Sequence, residues 1–287
     1  MWEKYENDKK IITTFMFISL RKNIQIKVDG YRQVLWIKIG SESEVHYSYE
    51  TVCDYSDCIG DIASLITKEQ IKFVIMISAN SHVWNMGGDL ELFESCIRNK
   101  NDISLIRDYA YKCINVLDCV NKTFFNDNVV VVSALQGNAF GGGFECALAG
   151  NYIIAEEQVK FRFPEVMFGT FPGMGAYSFL TRRIGFSRAN QMIRSGTKWD
   201  ATFMLEAGII DVICERGSAI KTTLEMIDNG EMKLPNQFER NTCQVPKAEL
   251  LAIVNMWLDE ILSLDSGNID AMKRIISVQK GAKLNSA

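Results

Sequence analysis

The chain has 287 residues, 47% of them hydrophobic, and its 31 basic and 35 acidic side chains give a formal net charge of −4. That much apolar material with so little net charge excludes disorder, and a slightly acidic balance argues against a nucleic-acid partner, which draws on a basic excess. No apolar run approaches the roughly 18 residues that span a bilayer.

The best candidate for such a run, Ile11 to Leu20, is interrupted by Thr13, Thr14 and Ser19. The leader Met1 to Lys10 carries Glu3, Glu6 and Asp8 beside its lysines, and no small-residue cleavage site follows. A signal peptide is therefore not expected, and the protein reads as cytoplasmic. The eight cysteines, none in a C-x-x-C pair, read as reduced and mostly buried thiols. With His46 and His82 as the two histidines, a His-rich metal site is ruled out, and no metal constellation is visible.

Residues 1–22 are mixed in pattern. Ile24 to Val28 and Val34 to Ile39 read as strands around an Asp29-Gly30 turn, a hairpin signal. Glu42 to Cys58 reads as polar and irregular. Ile59 to Gln70 has a helical pattern, and Lys72 to Ser78 is a buried strand by its continuous apolar run. A polar loop, Ala79 to Asp89, carries Gly87-Gly88. Leu90 to Ile97 and Ile103 to Val120 read as helices, the second with Tyr109, Cys113, Val116 and Leu117 near helical spacing.

Val129 to Leu135 is the clearest strand, and it runs into a glycine run where a short helix starts, to end near Gly150. Tyr152 to Ala155 and Val159 to Phe163 read as short strands around a solvated Glu156-Glu157 turn. Pro164 to Gly175 is loop, Ala176 onward is helical, and Asp211 to Cys214 is a last strand. After Pro235 the pattern is helical, with an amphipathic segment from Lys247 to Leu264. Strand–helix alternation followed by helices predicts an α/β core over 23–234, with an N-terminal extension (1–22) and a C-terminal helical region (235–287).

Two loops carry the chemistry. In Gly137-Asn-Ala-Phe-Gly-Gly-Gly-Phe-Glu145 a strand feeds three glycines and then a helix, which leaves bare amides at a helix N-terminus for an anion or oxyanion. The spacing fits neither a Walker loop nor G-x-G-x-x-G, although close strand–helix packing alone would also call for such glycines. A second pair, in Trp84-Asn-Met-Gly-Gly-Asp-Leu90, again follows a strand, and two such loops are what a two-donor oxyanion hole needs. Asp89 is expected to cap the helix that follows. Glu145 and Glu165 stand among apolar neighbours, Phe144 and Cys146 for one, Phe163 and Val166 for the other. Carboxyls in such company are paired, functional, or not in the interior at all, and two of them in one apolar pocket would have their pKa values pushed apart into an acid and a base.

The string Gly137 to Glu145, followed by Phe163-Pro-Glu165, resembles the enoyl-CoA hydratase/isomerase (crotonase) superfamily. The Trp84 to Leu90 loop, the Phe171-Pro-Gly-Met-Gly-Ala-Tyr-Ser-Phe179 segment and the joint presence of both glutamates make it look closest to the diffusible-signal-factor synthases. The resemblance covers roughly 30–280, is most specific over 84–184, and is absent from the first 25 residues. It implies an α/β crotonase-like fold, a spiral of repeated β-β-α units around two roughly perpendicular sheets, closed by C-terminal helices. It also implies a homo-oligomer, a trimer or hexamer.

The resemblance further implies that Gly88 and Gly142 donate backbone N–H groups to a thioester carbonyl, while Glu145 and Glu165 do the proton transfers. In the signal synthases this pair dehydrates a 3-hydroxyacyl thioester on acyl carrier protein to the cis-2-enoyl form, and hydrolysis then frees a cis-2 unsaturated fatty acid. No cofactor is expected; the substrate rides on the carrier protein, or on CoA. Phe171, Met174, Tyr177 and Trp257 are candidates for the acyl cleft; by composition alone the four read as ordinary core, and the resemblance strengthens the cleft reading for Met174 and Trp257. Arg182, Arg183, Arg188 and Arg194 either meet the carrier's acidic surface or form solvated helix faces, and His82 reads as a surface residue. Two other functions stay open: a conventional enoyl-CoA hydratase or isomerase, and a crotonase-fold binding protein held by the receiver domain of a sensor kinase.

Overall fold

The computed structural model describes residues 17–99 and 103–284. The leader and most of the run from Ile11 to Leu20 lie outside the described residues. The chain forms β1 (Ile18–Arg21), β2 (Ile24–Asp29), β3 (Val34–Ile39), α1 (Tyr49–Asp57), α2 (Ile59–Lys68), β4 (Phe73–Ser78) and β5 (Val83–Asn85). Next come α3 (Leu90–Arg98), α4 (Ile103–Asn121), β6 (Val130–Leu135), β7 (Asn138–Phe140), α5 (Gly142–Leu148), β8 (Tyr152–Glu156) and β9 (Lys160–Arg162). The remainder is α6 (Ala176–Ile184), α7 (Phe186–Ser195), β10 (Trp199–Asp200), α8 (Ala201–Glu206), β11 (Val212–Cys214), α9 (Ala219–Asp228), α10 (Gln237–Cys243), α11 (Lys247–Ile261) and α12 (Ser266–Leu284).

The strands make a seven-stranded sheet, β1-β2-β3-β4-β6-β8-β11, and a four-stranded sheet, β10-β9-β7-β5. From β3 to β11 the large sheet is parallel, and the β2–β3 hairpin pairs Ile24 with Ile39 and Asp29 with Val34. Residues 18–21 of the segment set apart as an N-terminal extension add an edge strand to this sheet through β2. Three times a strand of the large sheet hands the chain to a short strand of the small one and then to helical structure: β4-β5-α3, β6-β7-α5 and β8-β9-α6. This is the repeated β-β-α unit of the crotonase-like spiral. Every residue of β6 is buried because layers cover both faces of the sheet. Val130, Val132 and Ala134 pack with Trp36, Ile75 and Ile154 on one side, while Val131 and Leu135 join the larger core that contains Phe144 and Phe161.

Three sequence expectations are corrected here. Glu42 to Cys58 is not irregular throughout: Ser48 accepts a hydrogen bond from Thr51 N at 3.2 Å and starts α1, which buries Val52 and Tyr55. The loop from Ala79 to Asp89 contains β5, and the stretch after Leu135 contains β7, both too short to show a period. Glu156 is not solvated: it is 3% exposed, and its Oε1 accepts from Ala219 N at 3.3 Å at the positive end of α9. Its Oε2 accepts from Gln158 Nε2 at 2.7 Å. Among the described residues no helix is long and apolar enough to cross a membrane.

Candidate active site

The two glycine loops meet. Gly87 holds φ +101°, open to glycine, and the chain then turns through Gly88 into α3, which Asp89 caps by accepting from Leu92 N at 3.0 Å. Gly141 holds φ +49° and sends the chain into α5 at Gly142. A Cβ built on Gly142 would stand 3.7 Å from Gly88 N, so the loops touch at van der Waals distance. Among the described residues neither the N–H of Gly88 nor that of Gly142 reaches an acceptor. The second also sits at the positive end of a helix.

Beside them stand both carboxyls. Glu145 lies in the first turn of α5, is 1% exposed, and accepts from Met174 N at 2.8 Å and Ala176 N at 2.9 Å through Oε1. Burial pushes its carboxyl up to about 7, against the pull of those amides. Glu165 opens a 3-10 turn after Pro164, and a Cβ on Gly141 would collide with its Oε1. The residue is half-buried, yet its Oε2 is shut off from solvent and finds no hydrogen-bond partner among the described residues. Burial first, and then the charge of Glu145, raise Glu165 well above the carboxylate range. Of the two, Glu145 is the one that ionises first, as the pH rises through about 7, because two amides receive its charge, while Glu165 keeps its proton to higher pH.

Gly88, Gly142, Glu145, Glu165, Met174 and Trp257 line one cleft of about 730 Å³, counted out to its solvent mouth. Tyr47, Thr51, Val52 and Tyr55, with Phe93, Cys146 and the Tyr109, Cys113, Val116 and Leu117 face of α4, add to a largely apolar wall. Phe93 packs edge-on against both Trp257 and Tyr109, with ring centroids 5.3 Å apart in each pair. Burial keeps the cleft thiols neutral, pushing Cys146 up to about 11.

Phe171 and Tyr177 are not part of this lining. They pack on each other at 6.4 Å, and the Tyr177 hydroxyl lies 3.4 Å from Asn190 Oδ1. The helical phase of α6 explains the place of Tyr177, since Ala176, Phe179 and Leu180 take its buried face and Tyr177 its half-exposed one, while Phe171 lies half-buried in the loop before the helix. Sequence reasoning missed Thr51, Val52 and Tyr55 because it missed α1; Ser48 followed by apolar residues at helical spacing was the available signal. Arg182 is tied to Glu249 by two bonds of 2.9 Å and Arg183 donates to the Ile209 and Gly150 carbonyls, whereas Arg188, Arg194 and His82 are exposed.

The model of the enoyl-CoA hydratase/isomerase family matches residues 54–283. The chain belongs to this family. Enoyl-CoA isomerase/hydratase fer4 of Mycosarcoma maydis is 30% identical over 178 residues, 60% of this chain and 62% of that protein. The trans-2-decenoyl-[acyl-carrier-protein] isomerase of Streptococcus mutans is 29% identical over 163 residues, 56% and 59% of the two chains. The matches thus span less than two thirds of these relatives. Human mitochondrial delta3-delta2-enoyl-CoA isomerase superposes with a TM-score of 0.73 at 18% identity, over 91% of this chain and 100% of that one. For Pseudomonas aeruginosa DspI the TM-score is 0.65 at 21% identity, over 85% and 87%. Together these likenesses establish the crotonase fold for this hydratase/isomerase family member.

Proposed function

We propose that this protein dehydrates a 3-hydroxyacyl thioester held on acyl carrier protein to the cis-2-enoyl thioester, and then hydrolyses it to a free cis-2 unsaturated fatty acid. The observation that carries this reading is the meeting of Glu145 and Glu165, both with raised carboxyl pKa values, with the unpaired amides of Gly88 and Gly142 in one apolar cleft. The amides receive the charge that develops on the thioester oxygen when C2 loses its proton. One carboxylate takes that proton, and the other carboxyl protonates the C3 hydroxyl, which leaves as water. For hydrolysis a carboxylate takes a proton from water as its oxygen attacks C1, the same amides hold the tetrahedral oxyanion, and the thiol leaves with a proton. Water lost in the first step balances water consumed in the second. The sequence is redox-neutral and calls for no redox cofactor.

The carrier-protein substrate is supported by the Streptococcus mutans relative, whose name specifies an acyl-carrier-protein thioester. The exposed Arg188 and Arg194 supply cations suited to an acidic carrier. The names of the other relatives favour a second reading, hydration or isomerisation of an enoyl-CoA with the thioester left intact. The test is to incubate Glu145→Gln and Glu165→Gln separately with 3-hydroxyacyl carrier protein and assay free enoic acid. Loss in both is expected, and undiminished product from either defeats the two-carboxylate mechanism.

A further inference from the structure

The N–H of Gly88 is free because everything around it is tied down. Met86 N donates to Val45 O at 2.6 Å, Gly87 N to Asn85 Oδ1 at 2.8 Å, and Asp89 N to the Tyr109 hydroxyl at 3.4 Å. On the acceptor side, Gly87 O receives Tyr47 N at 2.9 Å. The carbonyls on either side of it, Met86 O and Gly88 O, receive the same donor, the side-chain amide of Gln279, at 3.1 and 3.4 Å. Gln279 is 4% exposed and comes from α12, 193 residues further along the chain than Met86. Three successive carbonyls are thus held by other parts of the chain, while the N–H of Gly88, a residue of the cleft lining, reaches no acceptor among the described residues.

The same helix also braces the other half of the site. Asn268, near its start, fills the space a Cβ on Gly169 would need, and Gly169 with φ +84° closes the turn that carries Glu165. Ile269, Met272 and Ile276 hold the apolar face of α12 in the core, and its outer face carries the surface pairs Lys273 with Glu94 at 3.6 Å and Lys280 with Glu91 at 2.5 Å. Such exposed pairs hold a helix only weakly. The buried amide is of a different kind: a donor placed inside protein against two carbonyls, where its loss leaves both unpaired.

We infer that Gln279 is a positioning residue, whose amide clamps the Met86 and Gly88 carbonyls and thereby aims the Gly88 N–H at the substrate oxygen. The inference rests on the oxyanion role given to Gly88 above, but not on the fate of the thioester. Its readout is therefore enolate formation: C2 deuterium uptake by an acyl N-acetylcysteamine thioester in heavy water, followed by NMR. In Gln279→Met, which keeps the volume but has no donor, exchange kcat should fall about ten- to a hundredfold with KM within about twofold, as expected for a misaimed donor. Gln279→Leu likewise has no donor and should behave alike, so one poorly folding variant does not decide the matter. Val278→Ala, on the exposed neighbour, should leave exchange unchanged.

Amide hydrogen exchange over residues 83–92 should speed up in both Gln279 variants and not in the control. Wild-type C2 exchange rates in a folded Gln279 variant, or no exchange by the wild-type protein itself, would overturn the inference. A wild-type protein that exchanges C2 but releases no free acid would overturn only the thioesterase half of the proposed function.

Discussion

Adding one methyl group at Gly142 should separate catalysis from folding. The residue opens α5, and its φ lies outside the left-handed region, so alanine fits the backbone. A Cβ there would meet Gly88 N at 3.7 Å and Gly87 Cα at 3.9 Å, ordinary contacts that need no rearrangement. Replacing glycine in a compatible conformation stabilises by about 0.4–1 kcal/mol through the unfolded chain, so the melting temperature should rise by about 1–4 °C. The methyl group nevertheless fills the gap between the two amides, where an oxygen accepting from both has to sit about 2.7–3.1 Å from each nitrogen. Losing one such donor costs about 10²–10³ in kcat, and here both are obstructed. Gly142→Ala should therefore melt no lower than wild type while C2 exchange drops at least about a hundredfold. Wild-type exchange in a stable variant would show that the oxygen does not bind between these amides.

Other outcomes follow from the same geometry. Burial raises the Glu145 carboxyl from 4.5 to about 7 in the folded protein, which then holds a proton that the unfolded chain has lost. Its contribution to stability is complete below about pH 4.5 and is lost as the pH rises through about 7. Urea midpoints should decline over that window, and the Glu145→Gln, Glu165→Gln double variant should lack the decline. In Gly173→Ala the new Cβ collides with the Trp257 ring, which should cost about 1–3 kcal/mol of stability and raise KM through displacement of the cleft wall. An unchanged melting temperature would refute this packing account. Arg188→Glu with Arg194→Glu should raise KM for a carrier-protein thioester and leave the N-acetylcysteamine analogue unaffected; equal KM values for the carrier substrate would remove these arginines from its docking.

The parts of this arrangement that were legible in the sequence are those with a local cause. The all-apolar β6 run, the glycines that let α5 start beside another loop, and glutamates among phenylalanines each state a physical constraint within a few residues. Met174 and Phe171 were not separable in that way. Both precede α6, and it is Met174 whose backbone amide is held by Glu145, from 29 residues earlier in the chain. The short strands β5, β7 and β10 exist because the small sheet pairs them, and two or three residues carry no period of their own. Glu156 looked solvated until α9, arriving 63 residues later, placed the Ala219 amide against it. Gln279 gave no signal, since its partners lie on the other side of the sequence.

Polarisation of a bound carbonyl is the most direct measure of whether the two loops form one oxyanion site. An acyl thioester labelled with ¹³C at the carbonyl, bound to the Glu145→Gln, Glu165→Gln variant so that it does not turn over, should show a carbonyl stretch below its frequency in water, and Gly142→Ala should restore it. A bound carbonyl that vibrates at or above the aqueous frequency would contradict the account.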